Sequence, residues 1–235
     1  MATLSSIVNA IKGVLQDPAY TDPVLVDHIN EAIQNIAAGI RLPNGEISPP
    51  LPDLYCSDEL NTDITLPYIS LPSNYQRNVF KVYDNTLYEI LPPRGGDYYA
   101  YGRFLKQINQ LNLRETGEIY RVCVKGLNLY YQGIPSVSTI LGVHYCRKPV
   151  LLTLDGDIPE GIPDHLQESI LKHYVCKNIF GEKIEDGQDN KGIGTTYHTT
   201  KFYEDMNGLV DFIGRDSEPM YYGSDEGEDR GRCDG

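Results

Sequence analysis

The chain has 235 residues, a formal net charge of −13, 18 tyrosines, five phenylalanines and no tryptophan. Such an acidic balance argues against a protein that wraps DNA by counterion release, which needs Lys and Arg aimed at phosphates; it still allows a protein that surrounds DNA without gripping it. The cysteines (Cys56, Cys123, Cys146, Cys176 and Cys233) are odd in number and form no CxxC pair, which argues against a disulfide framework and for synthesis in a reducing cytoplasm.

The first residues carry no basic segment before their apolar positions, so no signal peptide is expected. No uncharged apolar run approaches the roughly 18 residues of a membrane span, and no membrane partner is expected. A chain of this length buries roughly 70–75% of its extended surface and needs no staples.

In chain order, Leu4, Ile7, Val8, Ile11 and Leu15 form an apolar stripe, and "QDPAYTDP" reads as a turn. Asp22 is placed to cap the next helix, with Pro23 at its first position. Leu25, Ile29, Ile33, Ile36 and Ile40 then recur at steps of four, four, three and four, one face of a helix that needs a cover. Burial of each such side chain is worth roughly 1.5–3 kcal/mol. The chain therefore opens with a helical hairpin.

"RLPNGEISPPLPDLYCSDELNTD" is Pro-rich and reads as a long loop. "ITLPYISLP", broken by Pro67 and Pro72, is an edge strand at most. "NVFKVYDNTLYEIL" reads as a hairpin, Val79–Tyr83 and Leu87–Leu91 around Asp84-Asn85. Tyr101–Leu111 reads as a short helix. "GEIYRVCVKGLNLYYQG" is a second hairpin turning near Lys125-Gly126, and Thr139–Arg147 a further strand. The middle of the chain is thus a small antiparallel sheet or barrel. Tyrosine suits such strands and also suits wet, self-associating interfaces.

Helices return at "IPDHLQESILKHYVCKNIFGE". Ile162-Pro163-Asp164 starts one, Leu166, Ile170, Leu171, Tyr174 and Val175 form its face, and Gly181 stops it. After a glycine-rich polar loop, Phe202, Met206, Leu209 and Ile213 mark a last helix, which Gly208 weakens by roughly 1 kcal/mol. The fold expected is α+β: a four-helix bundle made from N- and C-terminal helical hairpins, with an inserted antiparallel β-domain and a flexible acidic C-terminal tail. The expected bounds are 1–45, 46–160, 161–215 and 216–235. Leu25, Ile29, Ile33, Ile36, Leu166, Ile170, Phe202 and Leu209 are the expected bundle core.

Catalytic and cofactor motifs are missing: there is no GxSxG, Walker loop or HExxH. "GIGTTY", Gly192 to Tyr197, has Tyr197 where a dinucleotide loop needs its third glycine, and reads as a loop entering a helix. "DGDIPEG", Asp155 to Gly161, gathers Asp155, Asp157 and Glu160 but has Glu160 and Leu166 where a calcium loop needs Gly and Glu, and reads as a solvated turn. His173 with Cys176, and His144 with Cys146, each share a face, yet a zinc site would need all four to converge. Packing is the preferred role for these, and a surface position for His28 and His165. No catalytic residue, metal ligand or cofactor is assigned.

"LSSIVNAIKGVLQDPAYTDPVLVDHINEAIQNIAAG", with Leu15, Asp17, Asn30 and Ala32, resembles the opening of head-to-tail adaptor (connector) proteins of tailed bacteriophages. "SLPSNYQRNVFKVYDN" is similar to their entry into the strands, and "GIPDHLQESILKHYVCKNIFGEKIEDGQDN" through "TTKFYEDMNGL" to their C-terminal helical pair. The resemblance is weakest over residues 92–160. It implies a virion protein of the neck, between head and tail: a homo-oligomeric ring, usually a dodecamer, that binds the portal protein, extends the DNA channel without sequence-specific binding, and docks a tail or nozzle protein. Met220, Tyr221 and Tyr222 are the only apolar knot of the acidic tail and its expected portal-binding anchor. The rival readings are a metal-dependent enzyme at Asp155, Asp157, His144 and Cys146, and a tail-side neck or stopper protein, a class more uniformly β.

Overall fold

The computed structural model describes residues 1–107, 116–185 and 192–214. It is α+β, with five α-helices and two small antiparallel sheets among the described residues. The elements are α1 (Leu4–Leu15), α2 (Asp22–Ala38), β1 (Tyr55–Asn61), β2 (Tyr68–Ser70), β3 (Tyr75–Tyr83), α3 (Tyr101–Gln107), β4 (Arg121–Lys125), β5 (Asn128–Gln132), β6 (Ile140–Arg147), α4 (Asp164–Glu185) and α5 (Ile193–Ile213). They divide into two compact units. One comprises residues 1–55 and 146–214, the other residues 56–145.

The first unit is helical. The stripe of α1 and the stripe of α2 are both buried, and they share one core with Ile170, Leu171, Val175 and Ile179 of α4 and Phe202, Met206 and Leu209 of α5. Leu25, Ile29, Ile33 and Ile36 are buried there, and Leu166 is half-buried against it. Leu42, Leu51, Leu54, Leu152 and Ile162, three of which fall between the expected bounds of 46 and 160, pack into the same core.

Three helix ends differ from the sequence reading. Thr21, not Asp22, occupies the N-cap of α2 and makes no side-chain cap bond; Asp22 sits one residue inside and pairs with Lys12 of α1. Carboxylate charge is favourable in a first turn whether or not it caps. Ile40 lies past the end of α2, which stops at Gly39, a residue with φ of 104° that suits glycine. Gly181 does not stop α4, which continues to Glu185. Beyond Gly181, Lys183 reaches back to Asp17 after α1, Nζ to Oδ2 2.9 Å, and lies over the Tyr20 ring. That contact holds the last turn despite the roughly 1 kcal/mol that glycine costs inside a helix.

The second unit holds two sheets, ordered β1-β6-β3 and β2-β5-β4. Its core is Val79, Val82, Val122, Val124, Leu129, Leu141 and Val143 with the buried tyrosines Tyr75, Tyr98, Tyr131 and Tyr145. β4 and β5 form the expected hairpin, pairing Lys125 with Asn128 around Gly126, whose φ is 61°. β2 is a three-residue edge strand on β5, pairing Tyr68 with Tyr130. The arm expected at Leu87–Leu91 is reduced to a bridge, Tyr83 to Glu89. There the Asp84 carboxylate accepts from the N–H groups of Thr86 and Tyr88, 2.8 and 3.0 Å, spending on a local turn the pairing a strand would use. β1 lies in the stretch expected to be loop. It is a strand with mostly exposed side chains and no apolar alternation, so periodicity could not reveal it. Of the expected helix at 101–111, α3 is described to Gln107, and residues 108–111 lie outside the described residues.

Candidate interaction surface

Charge is divided unevenly between the units. Residues 1–55 and 146–214 hold 18 acidic and 9 basic side chains, whereas residues 56–145 hold 8 of each. Residues 215–235 hold 7 acidic and 3 basic. The acidity of the protein thus resides in its helical unit and its C-terminal stretch, and the β unit is neutral.

The segment from Lys148 to Gly161 shapes one end of the helical unit. Its backbone is fixed from several sides. Asn30 of α2 clamps Leu152 with two hydrogen bonds: its Nδ2 donates to the Leu152 carbonyl, 3.0 Å, and its Oδ1 accepts from the Leu152 N–H, 2.8 Å. The carbonyls of Asp157 and Asp155 accept from Leu4 N and Ser5 N at the start of α1, 2.8 and 3.1 Å, satisfying two donors that a helix N-terminus leaves without partners. Gln167, almost fully buried, accepts from Ala2 N through Oε1 and donates through Nε2 to the Ile162 carbonyl, both 2.9 Å.

This clamping turns Leu152 inward and its apolar neighbours outward. Val150, Leu151 and Leu154 are 60%, 48% and 68% exposed, and Ile158 is also exposed. Phe212, 65% exposed near the end of α5, stacks edge-on against His165 at the start of α4, ring centroids 5.5 Å apart. Clusters of exposed apolar groups mark interaction sites on natural proteins.

The carboxylates of Asp155 to Gly161 do not converge. Asp157 accepts from the N–H groups of Thr153 and Leu154, 2.7 and 2.8 Å, and these bonds hold its carboxyl below the usual range. Glu160 accepts from Arg147, 2.9 Å, and from Val150 N, 3.2 Å. Asp155 is exposed. No group of three His, Cys, Asp or Glu converges among the described residues.

His173 is buried, as are Cys176 and Cys146. The partner of His173 is His198 of α5, with the two Nδ1 atoms 2.7 Å apart and both rings almost fully buried. Such a contact needs one ring to donate and the other to accept, so the accepting ring is neutral. Burial, reinforced by His173 and Lys172, lowers His198 to about 4, and burial with Lys172 lowers His173 as well. His144 lies beside the Tyr83 ring, centroids 5.4 Å apart. His28 is half-buried and His165 exposed.

Sequence reasoning did not single out His198, Gln167 or the outward-facing loop. For His198 a signal existed, because one step of four back from Phe202 along the α5 stripe lands on it. Met220, Tyr221 and Tyr222 lie outside the described residues.

The four positions that carried the resemblance all have structural roles. Leu15 and Ala32 are buried in the helical core, Asp17 holds Lys183, and Asn30 clamps Leu152. No helix among the described residues is long and apolar enough to cross a membrane. No curated protein matches the chain. A family model described as SU10 adaptor protein matches residues 2–226. A match of that span covers both helical hairpins and the β-rich middle together, and it assigns the chain to the SU10 adaptor protein family.

Proposed function

We propose that the protein is the head-to-tail adaptor of a tailed phage, a structural protein of the virion neck that works as a ring and not as an enzyme. The observation that carries this reading is the family match over residues 2–226. In this reading α1, α2, α4 and α5 are a four-helix bundle that serves as the rigid scaffold of each subunit, and the β unit is an insertion in it. Copies related by rotation about one axis repeat the same pair of patches and close into a ring, of twelve subunits in the simplest match to a portal. The ring extends the DNA channel below the portal protein and docks a tail or nozzle protein. The acidic balance suits a wall past which DNA slides, since a basic wall would hold phosphates.

The acidic stretch 216–235 is the portal-docking arm, with Met220, Tyr221 and Tyr222 as apolar anchors among charges that steer. From Asp216 to Gly235 it spans up to roughly 60 Å at ~3.3 Å per residue, enough to cross a subunit boundary.

The test is the mass of the protein alone and after mixing with portal rings. A ring-sized increment on the portal is expected. Failure to join a portal-containing particle refutes the adaptor reading, whereas a monomer in isolation does not. Deleting residues 216–235 tests the arm: unaltered affinity and salt dependence of portal binding would assign docking to the helical unit instead.

A further inference from the structure

We propose that the apolar, acid-rimmed end of the helical unit docks onto the basic α3 face of the β unit in a second copy of this chain. The proposal rests on the ring reading and names the surfaces that would form its repeating contact.

The first surface is the clamped loop after β6. Val150, Leu151 and Leu154 stand out from it, and the loop is held by its bonds to the start of α1; Phe212 of α5 is exposed at the start of α4, against His165. Carboxylates predominate among its exposed charges: Asp155 on the loop, Glu168 on α4 one turn beyond His165, and Asp211 beside Phe212, against Lys148 where the loop begins. The loop is presented already ordered, so docking onto it loses little conformational freedom.

The second surface is on the β unit. α3 packs on the β4–β5 hairpin through Phe104, which is fully buried against Cys123, and through Tyr101, whose ring meets Tyr130 edge-on with centroids 5.2 Å apart. Its other side carries Arg103 and Lys106, both exposed. Lys125, at the hairpin turn, sits with Nζ 4.4 Å from the Tyr101 ring centroid, and Leu127 next to it is 69% exposed. This is a basic face with an apolar knob, the counterpart of an acidic rim around apolar side chains.

Two helical units would meet with like charge, since each carries the excess of acidic residues. A helical end meeting a neutral unit at its basic face avoids that repulsion. Two different patches on one chain that complement each other make a heterologous contact, which propagates around a ring.

Two variants separate this arrangement from the alternatives. In the first, Glu168→Lys and Asp211→Lys reverse the helical end. In the second, Arg103→Glu and Lys106→Glu reverse the α3 face. All four positions are exposed, and unchanged circular dichroism and melting show that each variant folds. The readout is the mass of adaptor bound to portal rings. Each variant alone should assemble roughly tenfold or more weakly than the parent protein. An equimolar mixture of the two should recover assembly, because each reversed patch then finds its reversed complement on the other variant. Assembly of either single variant at the parent's level overturns the proposed contact and leaves the ring reading standing. So does loss in both variants with no recovery on mixing. Failure of the parent protein itself to assemble on portals overturns both.

Discussion

The two units bury their apolar residues in different ways. The helical core is aliphatic, built from leucine and isoleucine at helical spacing, with few polar tips inside it. The β core includes four buried tyrosines, and its phenols work on the loops around them. The Tyr131 hydroxyl accepts from Asp63 N, 2.9 Å, and lies 2.9 and 2.8 Å from the carbonyls of Asp63 and Leu66. The Tyr98 hydroxyl accepts from Val82 N and donates to the Ile90 carbonyl, 3.3 and 3.2 Å. Tyr145 donates to Asp58, and burial beside that carboxylate pushes its phenol up. Eleven of the eighteen tyrosines fall in residues 56–145, where four of them are buried. Their abundance there reflects a small domain with long connections, in which one side chain fills core and ties loop backbone at once. A long helix satisfies its own backbone and needs no such latch.

The comparison predicts that the two cores fail differently. Ile33→Asp places an unpaired charge at a position only 2% exposed in the aliphatic core, where no neighbour can accept it. The expected cost is several kcal/mol, with loss of the cooperative melt of the helical unit. An unchanged melting temperature would refute the shared core. Next in size, Asn30→Ala removes both bonds to Leu152. The expected cost is about 1–3 kcal/mol, with faster hydrogen exchange at the Leu152 amide, because the substitution leaves two backbone groups without partners. Tyr131→Phe keeps the ring and deletes only the latch. About 1–2 kcal/mol is expected, with the exchange increase confined to the Asp63 amide.

The smallest effect is reached by mild acid. His173 and His198 both titrate below the ordinary value of 6.5 when folded, so the unfolded chain binds protons first. Stability from this pair is complete above pH 6.5 and is lost as pH falls toward about 4, the His198 value. At pH 5.5–6 the expected loss from His198 is about 1 kcal/mol. His198→Phe should flatten the melting-temperature profile in that window. A profile as steep as the parent's would place the titration elsewhere.

The helical unit was legible from sequence because its signal is periodic. Leu4 to Leu15 and Leu25 to Ile36 step at three and four, and all are buried. What escaped were features set by contacts far along the chain. Gly181 reads as a stop until Lys183 is seen reaching Asp17, 166 residues away. "KPVLLTLDGDIPEG" reads as an apolar run and a turn, and only the Asn30 clamp decides that Leu152 faces in while Val150, Leu151 and Leu154 face out. β1 escaped because a strand exposed on most of its length has no inner face to mark it.

The two crossings between the units are made by β1 and β6, which are neighbours in one sheet. The chain therefore leaves the helical unit and returns to it along adjacent strands, spaced about 5 Å apart, and among the described residues the helical core draws none from between Leu54 and Leu152. An insertion with its ends so close is exchangeable in evolution. Its loops can lengthen, shorten or be replaced while the two helical hairpins keep their packing. One half of the molecule can then change without re-solving the fold of the other.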